Sequence, residues 1–85
     1  MSVQIESTPN PNALKFTVGI DVGGPKTFVA GRDNDDPLAA ALLSLPGVTS
    51  IFMTADFVTL SKTPDADWAD IAGQAQEILQ NHFSD

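Results

Sequence analysis

Residues 48–62 read VTSIFMTADFVTLSK, and this segment contains two runs of β-branched and aromatic residues, at 48–53 and 57–62. The short break between the runs, residues 54–56, predicts a tight turn. We therefore expect the two runs to pair as an antiparallel hairpin with Asp56 in its turn. The segments on either side of this hairpin alternate between strand and helix patterns, so it is the reference point for the rest of the fold.

Two further strands are predicted before the hairpin. Residues 3–6 form a short β-prone run, and residues 13–18 alternate apolar and polar side chains with the period of a half-buried strand. The connection between them, residues 8–12, reads TPNPN. Its prolines lack a backbone donor and its asparagines tolerate turn geometry, so a structured turn is expected. Residues 19–32 are glycine-rich and predict a long loop, and the β-prone island at 27–30 is compatible with one more short edge strand.

Two helices are predicted from their start signals and apolar stripes. Residues 33–37 read DNDDP, an acidic cap followed by a proline suited to the first helical position, and Pro46 with Gly47 supplies the stop. Residues 63–67, TPDAD, are a second acidic start, and the periodic pattern after them extends to Phe83. The predicted stripes are Leu38, Ala41, Leu42 and Leu45 in the first helix, and Trp68, Ile71, Ala72, Ala75, Ile78, Leu79, His82 and Phe83 in the second.

The element order β-β-α-β-β-α, with the extra strand at 27–30 left open, predicts a single α+β domain over residues 1–85. Hairpins that alternate with single helices are typical of a two-layer sandwich, in which both helices cover one face of a largely antiparallel sheet. The predicted core consists of Leu14, Phe16, Val18, Leu38, Leu42, Ile51, Val58, Leu60, Trp68, Ile71, Ile78 and Leu79.

The composition excludes several kinds of site. The 85 residues include 4 Lys or Arg, 11 Asp or Glu and no cysteine, and the net charge is -7. Without cysteine, the chain has no disulfide, thiolate nucleophile, CxxC redox pair or thiolate-ligated iron-sulfur cluster of its own. The acidic balance and scattered basic residues argue against binding to nucleic acid or to an anionic membrane. With no signal-like N-terminus and no apolar run of membrane-spanning length, a cytoplasmic location is expected.

Three side chains have both a structural and a functional interpretation. His82, the only histidine, is placed to interact with the C-terminus of the second helix, and the alternative is metal ligation. Trp68 either seals that helix against the sheet or serves as an exposed anchor for a partner. Lys15 is either a solvated strand residue or a recognition residue for an acidic group. No nucleophile, base and oxyanion site converge, so no enzymatic activity is expected.

Residues 8–16, TPNPNALKF, resemble the signature opening of the N-terminal domain of the Nfu/NifU family, the Nfu-N domain. The resemblance continues in order through residues 37–48, 51–52, 56–59 and 67–68, and covers essentially the whole chain. No single motif is decisive, but the combination is specific. In many proteins of this family an Nfu-N domain is joined to a C-terminal domain whose CxxC motif binds and transfers an iron-sulfur cluster. The resemblance implies a stand-alone Nfu-N domain without that CxxC domain.

The resemblance implies a role connected with iron-sulfur cluster assembly or delivery. Because the chain has no cysteine, the implied role is a non-enzymatic accessory or adaptor domain that contacts iron-sulfur assembly or recipient proteins, with no cofactor bound through cysteine. The alternatives are a weak iron-binding protein that uses carboxylates, with or without His82, and a protein-binding module outside this pathway. The expected partner-binding surface is the turn, Lys15 and a neighbouring hairpin, unless the turn only fixes strand pairing. Its residues are Thr8, Pro9, Asn10, Pro11, Asn12, Lys15 and Asp56.

Overall fold

The computed structural model of the chain describes residues 3–31 and 36–83. Within these ranges, five strands and two helices follow one another in the order β-β-β-α-β-β-α. The strands are β1 Gln4–Ser7, β2 Ala13–Thr17, β3 Lys26–Val29, β4 Val48–Thr54 and β5 Phe57–Lys62, and the helices are α1 Pro37–Leu43 and α2 Trp68–Phe83. The predicted α+β class is confirmed, and the strand left open at 27–30 is present as β3.

The strands form one antiparallel sheet in the order β1-β2-β5-β4-β3. β4 and β5 pair as the predicted hairpin, with Thr54 opposite Phe57 at its turn. β1 and β2 form a second hairpin. The two hairpins join where β2 pairs with β5, from Ala13 opposite Ser61 to Thr17 opposite Phe57. β3 lies at one edge of the sheet, beside β4.

Both helices cover the same face of the sheet. In β2, Phe16 is buried between half-buried Lys15 and Thr17, and in β5, Val58 and Leu60 are the buried residues of an alternating pattern. Since successive strand side chains point to opposite faces, the buried positions define one inner face, which the helices cover. The buried core residues are Val3, Phe16, Val18, Leu38, Ala39, Leu42, Leu45, Val48, Ile51, Met53, Val58, Leu60, Ile71, Ala75 and Leu79.

Each helix begins at an aspartate that caps it. The Asp36 carboxylate accepts hydrogen bonds from the backbone N–H groups of Leu38 and Ala39, at 2.9 and 3.2 Å, and a proline occupies the first turn of α1. The Asp67 carboxylate accepts from the N–H of Ala69 at 2.9 Å. The predicted start of α1 is confirmed at Asp36, whereas residues 33–35 of that signal lie outside the described residues. Neither helix in the described ranges is long and apolar enough to cross a membrane.

The first helix is shorter than its apolar stripe predicts. α1 ends at Leu43, so Leu45 lies in the turn that follows, where it is still buried. The N–H of Leu45 donates to the carbonyl of Leu42 at 3.2 Å, and this tight turn returns the side chain to the core. Leu45 does face the core, as its place in the predicted stripe indicates, but the residue lies outside the helix.

The predicted core differs from the observed one at its margins. Leu14, Trp68 and Ile78 are half-buried and pack against the core, while His82 of the predicted stripe is exposed. The alternation in β4 is hidden in the sequence because the register shifts between Val48 and Ser50, which places Val48 and Ile51 on the same face. Six buried residues were not in the predicted core, although the predicted helix stripes included two of them, Leu45 and Ala75. The six are Val3, Ala39, Leu45, Val48, Met53 and Ala75.

Gly47 gives a test of how closely the turn after α1 packs against the start of α2. Gly47 has a φ of +87°, and a Cβ built on it would collide with the Cβ of Ala66. We expect Gly47→Ala to lower the free energy of unfolding by about 2–4 kcal/mol, because it adds this overlap to the strain of a left-handed alanine. Gly19→Ala is the matched control, since Gly19 has a φ of +77° but open space around it. The control is expected to lose about 1–2 kcal/mol from backbone strain alone. Urea denaturation measures both, and equal losses would contradict a role for the contact.

Candidate functional site

The turn at residues 8–12 is held by its own polar side chains. The Thr8 hydroxyl lies 2.9 Å from the carbonyl oxygens of both Asn10 and Ala13, which share its single proton, and it accepts from the N–H of Asn10 at 3.2 Å. The Asn10 side-chain oxygen accepts from the N–H of Asn12 at 2.9 Å. The N–H of Ala13 donates to the Asn10 carbonyl at 3.0 Å. Thr8 and Asn10 therefore set the conformation that sequence alone ascribed to proline and asparagine in general.

Two distant segments fasten this turn to the body of the domain. The backbone N–H and the ammonium of Lys62 both donate to Asn12, to its carbonyl at 2.8 Å and to its side-chain oxygen at 3.1 Å. The Trp68 indole N–H donates to the Pro11 carbonyl at 3.0 Å. The Lys62 ammonium also lies 5.8 Å from the centroid of the Trp68 ring, at the outer limit of a cation–π contact. The 8–12 turn is thus attached to the end of β5 and the start of α2.

The outward side of the turn is left to solvent. Pro9, Asn10 and Pro11 are exposed, whereas Thr8 and Asn12 are half-buried. The exposed residues form a small, rigid protrusion with two proline rings around one amide side chain. A protrusion of this kind loses little conformational entropy when it is bound, because its backbone is already ordered.

Lys15 lies on the outer face of the sheet, beyond the turn. Its ammonium is 3.7 Å from the Glu6 carboxylate and 4.6 Å from the centroid of the Phe57 ring. Because the ion pair is partly exposed, it contributes little to stability. The two contacts direct Lys15 across the outer face of the sheet, toward Glu6 and Phe57.

Asp56 is not a neighbour of the turn. β2 leaves the turn at Ala13 and reaches the Asp56 hairpin only after Thr17, which pairs with Phe57. The expected adjacency is therefore wrong: the two features lie at opposite ends of the β2–β5 pair, about 15 Å apart for a strand of this length. The Asp56 carbonyl accepts from the N–H groups of Val18 and Gly19, at 2.8 and 3.3 Å. Asp56 is a hairpin-turn residue, as predicted, and its backbone ties the hairpin to the loop after β2.

His82 lies apart from all of these residues. It is exposed in the last turn of α2, where its ring meets the Phe83 ring edge-on at a centroid distance of 4.7 Å. Within residues 3–31 and 36–83, no group of three or more His, Cys, Asp or Glu side chains is placed to hold a metal ion.

An open cleft of about 270 Å³ lies between the turn after α1 and the start of α2. Its lining residues are Pro46, Gly47, Thr63, Asp65, Ala66, Asp67 and Asp70. Asp67 is used as the cap of α2. A hydrogen bond from the Thr63 side chain holds the pKa of Asp65 below its ordinary value of 3.8, with a hydrogen bond from its own backbone and the charge of Lys62 acting in the same direction. The cleft is smaller than typical small-molecule pockets.

Sequence reasoning missed the contribution of Lys62 and Trp68 to the site. Trp68 was considered as a core residue or as an exposed anchor; it is half-buried, packs on the core and also binds the Pro11 carbonyl. Trp68 and Pro11 are 57 positions apart. Neither periodicity nor a local motif predicts a contact over that separation, and only the tertiary structure shows it.

The sequence matches the profile of a family described as scaffold protein Nfu/NifU N terminal, over residues 3–85. A NifU-like protein of Schizosaccharomyces pombe is 37% identical over 87 residues, which cover 96% of this chain and 34% of that protein. A Drosophila erecta protein, named NFU1 iron-sulfur cluster scaffold homolog, mitochondrial, is 38% identical over 88 residues, which cover 99% of this chain and 31% of that protein. The chain thus spans about a third of the length of these relatives.

Solved structures with similar sequences share the fold. The crystal structure of protein SAV1430 from Staphylococcus aureus superposes with a TM-score of 0.77 at 28% identity, covering 92% of this chain and 98% of that one. The solution structure of a NifU-like protein from Saccharomyces cerevisiae superposes with a TM-score of 0.78 at 27% identity, covering 93% of this chain and 75% of that one. These likenesses support the α+β architecture described above.

Thr8 provides a test of how the turn is held. We expect Thr8→Val to lower the free energy of unfolding by about 1–2 kcal/mol, because it keeps the shape of the side chain but removes its hydrogen bonds to the turn backbone. Thr59→Val is the matched control, since the hydroxyl of half-buried Thr59 makes no hydrogen bond within the described part of the chain. The control is expected to change stability by less than about 0.5 kcal/mol. Urea denaturation measures both variants, and equal effects would show that the Thr8 hydroxyl does not organise the turn.

Proposed function

This chain belongs to the family of Nfu/NifU N-terminal domains, and from that membership we propose that it is a non-enzymatic adaptor domain in iron-sulfur cluster assembly or delivery. The Drosophila erecta relative is named as an iron-sulfur cluster scaffold homolog, which supports the pathway. The adaptor acts by contacting proteins that assemble clusters or receive them.

The composition supports an adaptor rather than a cluster carrier. Proteins usually hold iron-sulfur clusters through cysteine thiolates, and none of these 85 residues is cysteine. In this proposal the thiolate ligands lie outside residues 1–85, and this domain contributes recognition and orientation.

The observation that carries the proposed contact is the 8–12 turn, which is firmly held yet exposed. Its hydrogen bonds to Lys62 and Trp68 fix the backbone, while Pro9, Asn10 and Pro11 face solvent. Exposed, pre-ordered loops are well suited to protein recognition because binding costs them little entropy. The competing interpretation is that the turn only fixes strand pairing. That interpretation accounts for the hydrogen-bonded groups of the turn but gives no role to its exposed side chains.

Lys15 and Asp56 are the outer members of the proposed surface. A typical protein interface covers about 800 Å² on each partner, which corresponds to a patch about 30 Å across. A partner centred on the turn would cover Lys15 and could extend along β2 as far as Asp56. In this proposal Lys15 and Asp56 are peripheral contacts, since exposed charges at an interface rim contribute to orientation and association rate more than to affinity.

Affinity purification from the native host, with proteins identified by mass spectrometry, tests the proposed function. We expect the full chain to enrich iron-sulfur assembly or recipient proteins, and Pro9→Lys to reduce that enrichment at least about fivefold, because it places a long charged side chain on the exposed turn. Ala40→Lys is the matched control, since it adds the same charge at an exposed position of α1.

The outcomes separate the pathway from the surface. Enrichment of neither protein class by the parent chain contradicts the proposed pathway. Equal enrichment by the parent and by Pro9→Lys contradicts the assignment of the turn, even if the pathway is right. Loss of enrichment in Ala40→Lys as well would mean that added positive charge, rather than the turn, determines the contact.

Direct iron binding through carboxylates and His82 is the alternative that calorimetry addresses. We expect anaerobic titration of the full chain with ferrous iron to give no saturable heat, because no group of three or more His, Cys, Asp or Glu side chains within residues 3–31 and 36–83 is placed to hold a metal ion. Oxygen and imidazole ligands hold ferrous iron tightly only when several of them converge. The His82→Ala variant is the control. Saturable heat in the parent chain would contradict this expectation, and its loss in His82→Ala would show that His82 is one of the ligands.

A further inference from the structure

The outer face of the sheet, opposite the helices, carries an unusual row of apolar side chains. On β4, Phe52 lies between buried Ile51 and Met53 and therefore points outward. Phe52 is 39% exposed, and Val29 of the edge strand β3 is 43% exposed. Phe57 of β5 also points outward, and it is half-buried beneath the Lys15 ammonium.

The strand register arranges these three residues in a line. Val29 lies opposite Ser50, which is two residues before Phe52 on β4. Phe57 lies opposite Thr54, which is two residues after Phe52. Val29, Phe52 and Phe57 therefore form a diagonal row across three neighbouring strands, called here the outer apolar row. Diagonal neighbours in a sheet are about 7–8 Å apart, so the row is about 15 Å long.

A helix is the element that fits such a row. An extended strand laid on a sheet face would leave its backbone polar groups against side chains, without hydrogen-bond partners. A helix satisfies its backbone internally, and three of its turns extend about 16 Å, which matches the length of the row. Packing a helix on an open sheet face is also the usual way in which α+β layers bury apolar surface.

The charges on the outer face of the strands are balanced, and both lie toward the β1 edge of the sheet. Lys15 is paired with Glu6 at 3.7 Å, and the rest of the described outer face consists of neutral residues. The chain as a whole has a net charge of -7, so a second copy would be repelled by charge. This balance favours a different protein over self-association.

One end of the outer apolar row lies beside acidic residues. Asp56 directly precedes Phe57 in the hairpin turn, and the loop that contains Asp21 is joined to this turn by a 2.8 Å hydrogen bond from the N–H of Val22 to the carbonyl of Ala55. Both carboxylate-bearing residues are exposed. A partner with Lys or Arg at this end would be complementary in charge to them.

We infer that the outer apolar row of Val29, Phe52 and Phe57 is the docking site for an amphipathic helix of a partner protein, with Lys or Arg flanking its apolar stripe. The row does not include the exposed 8–12 turn, although Phe57 lies beneath Lys15 and directly after Asp56, the outer members of the surface proposed above. The inference does not depend on the pathway to which the partner belongs.

A synthetic peptide tests this inference with the full chain. The probe is a 15-residue amphipathic helix of leucine and lysine, and the peptide control has the same composition in a scrambled order without an apolar stripe. We expect the amphipathic peptide to shift the amide resonances of β3, β4 and β5 in NMR spectra, and to bind at least about tenfold more tightly than the scrambled peptide.

Two substitutions with a matched control locate the contact. We expect Phe52→Thr to weaken binding about tenfold and Val29→Thr about threefold, because both remove apolar area from the row and place a residue with high strand propensity there. Ile5→Thr is the control, since Ile5 is 40% exposed but pairs with Phe16 and so lies on the inner face. It is expected to change affinity by less than twofold. Circular dichroism verifies that each variant is folded. If Phe52→Thr does not fold, Val29→Thr still tests the row.

The contrary outcomes are distinct. Absence of peptide binding, equal binding of the scrambled peptide, or equal weakening by Ile5→Thr would overturn the inference. It would also be overturned if sedimentation showed a dimer of the parent chain that Phe52→Thr makes monomeric. If the parent chain sediments with phosphatidylcholine vesicles and Phe52→Thr does not, the row is a membrane-binding surface instead.

Discussion

The pairing of β2 with β5 is the contact on which the rest of the structure depends. It joins the N-terminal hairpin to the hairpin of β4 and β5, and thereby makes one sheet of five strands. It also brings the 8–12 turn to the end of β5, where Lys62 can bind Asn12, and to the start of α2, where Trp68 can bind Pro11. Without this pairing, the hydrogen bonds that fasten the turn would have no partners.

The sheet and helices bury one face and leave the other open. α1 has 7 residues and α2 has 16, and both are used to cover the inner face of the sheet. A chain of this size has no further helix in its described ranges for the outer face. The exposed features then fall into two groups: a pre-ordered turn of two prolines and an asparagine at one end of β2, and an apolar row across β3, β4 and β5. The first is suited to orientation and the second to contact area.

Local sequence patterns predicted most of the strands and helices, because strand alternation and helix capping depend on residues that are close together in the chain. Alternation revealed β2, a run of β-branched and aromatic residues revealed β5, and the Asp-Pro start revealed α1. Core residues at the margins were assigned incorrectly where the chain departs from a regular strand or helix pattern. The register shift in β4 hid Val48 from the alternation, and the turn after α1 kept Leu45 in the core outside the helix. The site was predicted only in part: the turn residues were identified, but their partners Lys62 and Trp68 were not.

By itself, the sequence determined the fold class, the turn at residues 8–12, the helix starts and the absence of any cysteine ligand in these 85 residues. These properties depend on residue type and on spacing within one or two turns of chain. Only the tertiary structure decided which strands are neighbours, that Asp56 lies far from the turn, and that Val29, Phe52 and Phe57 form a line. The physical reason is that strand pairing joins segments distant in sequence, and its register determines which side chains meet.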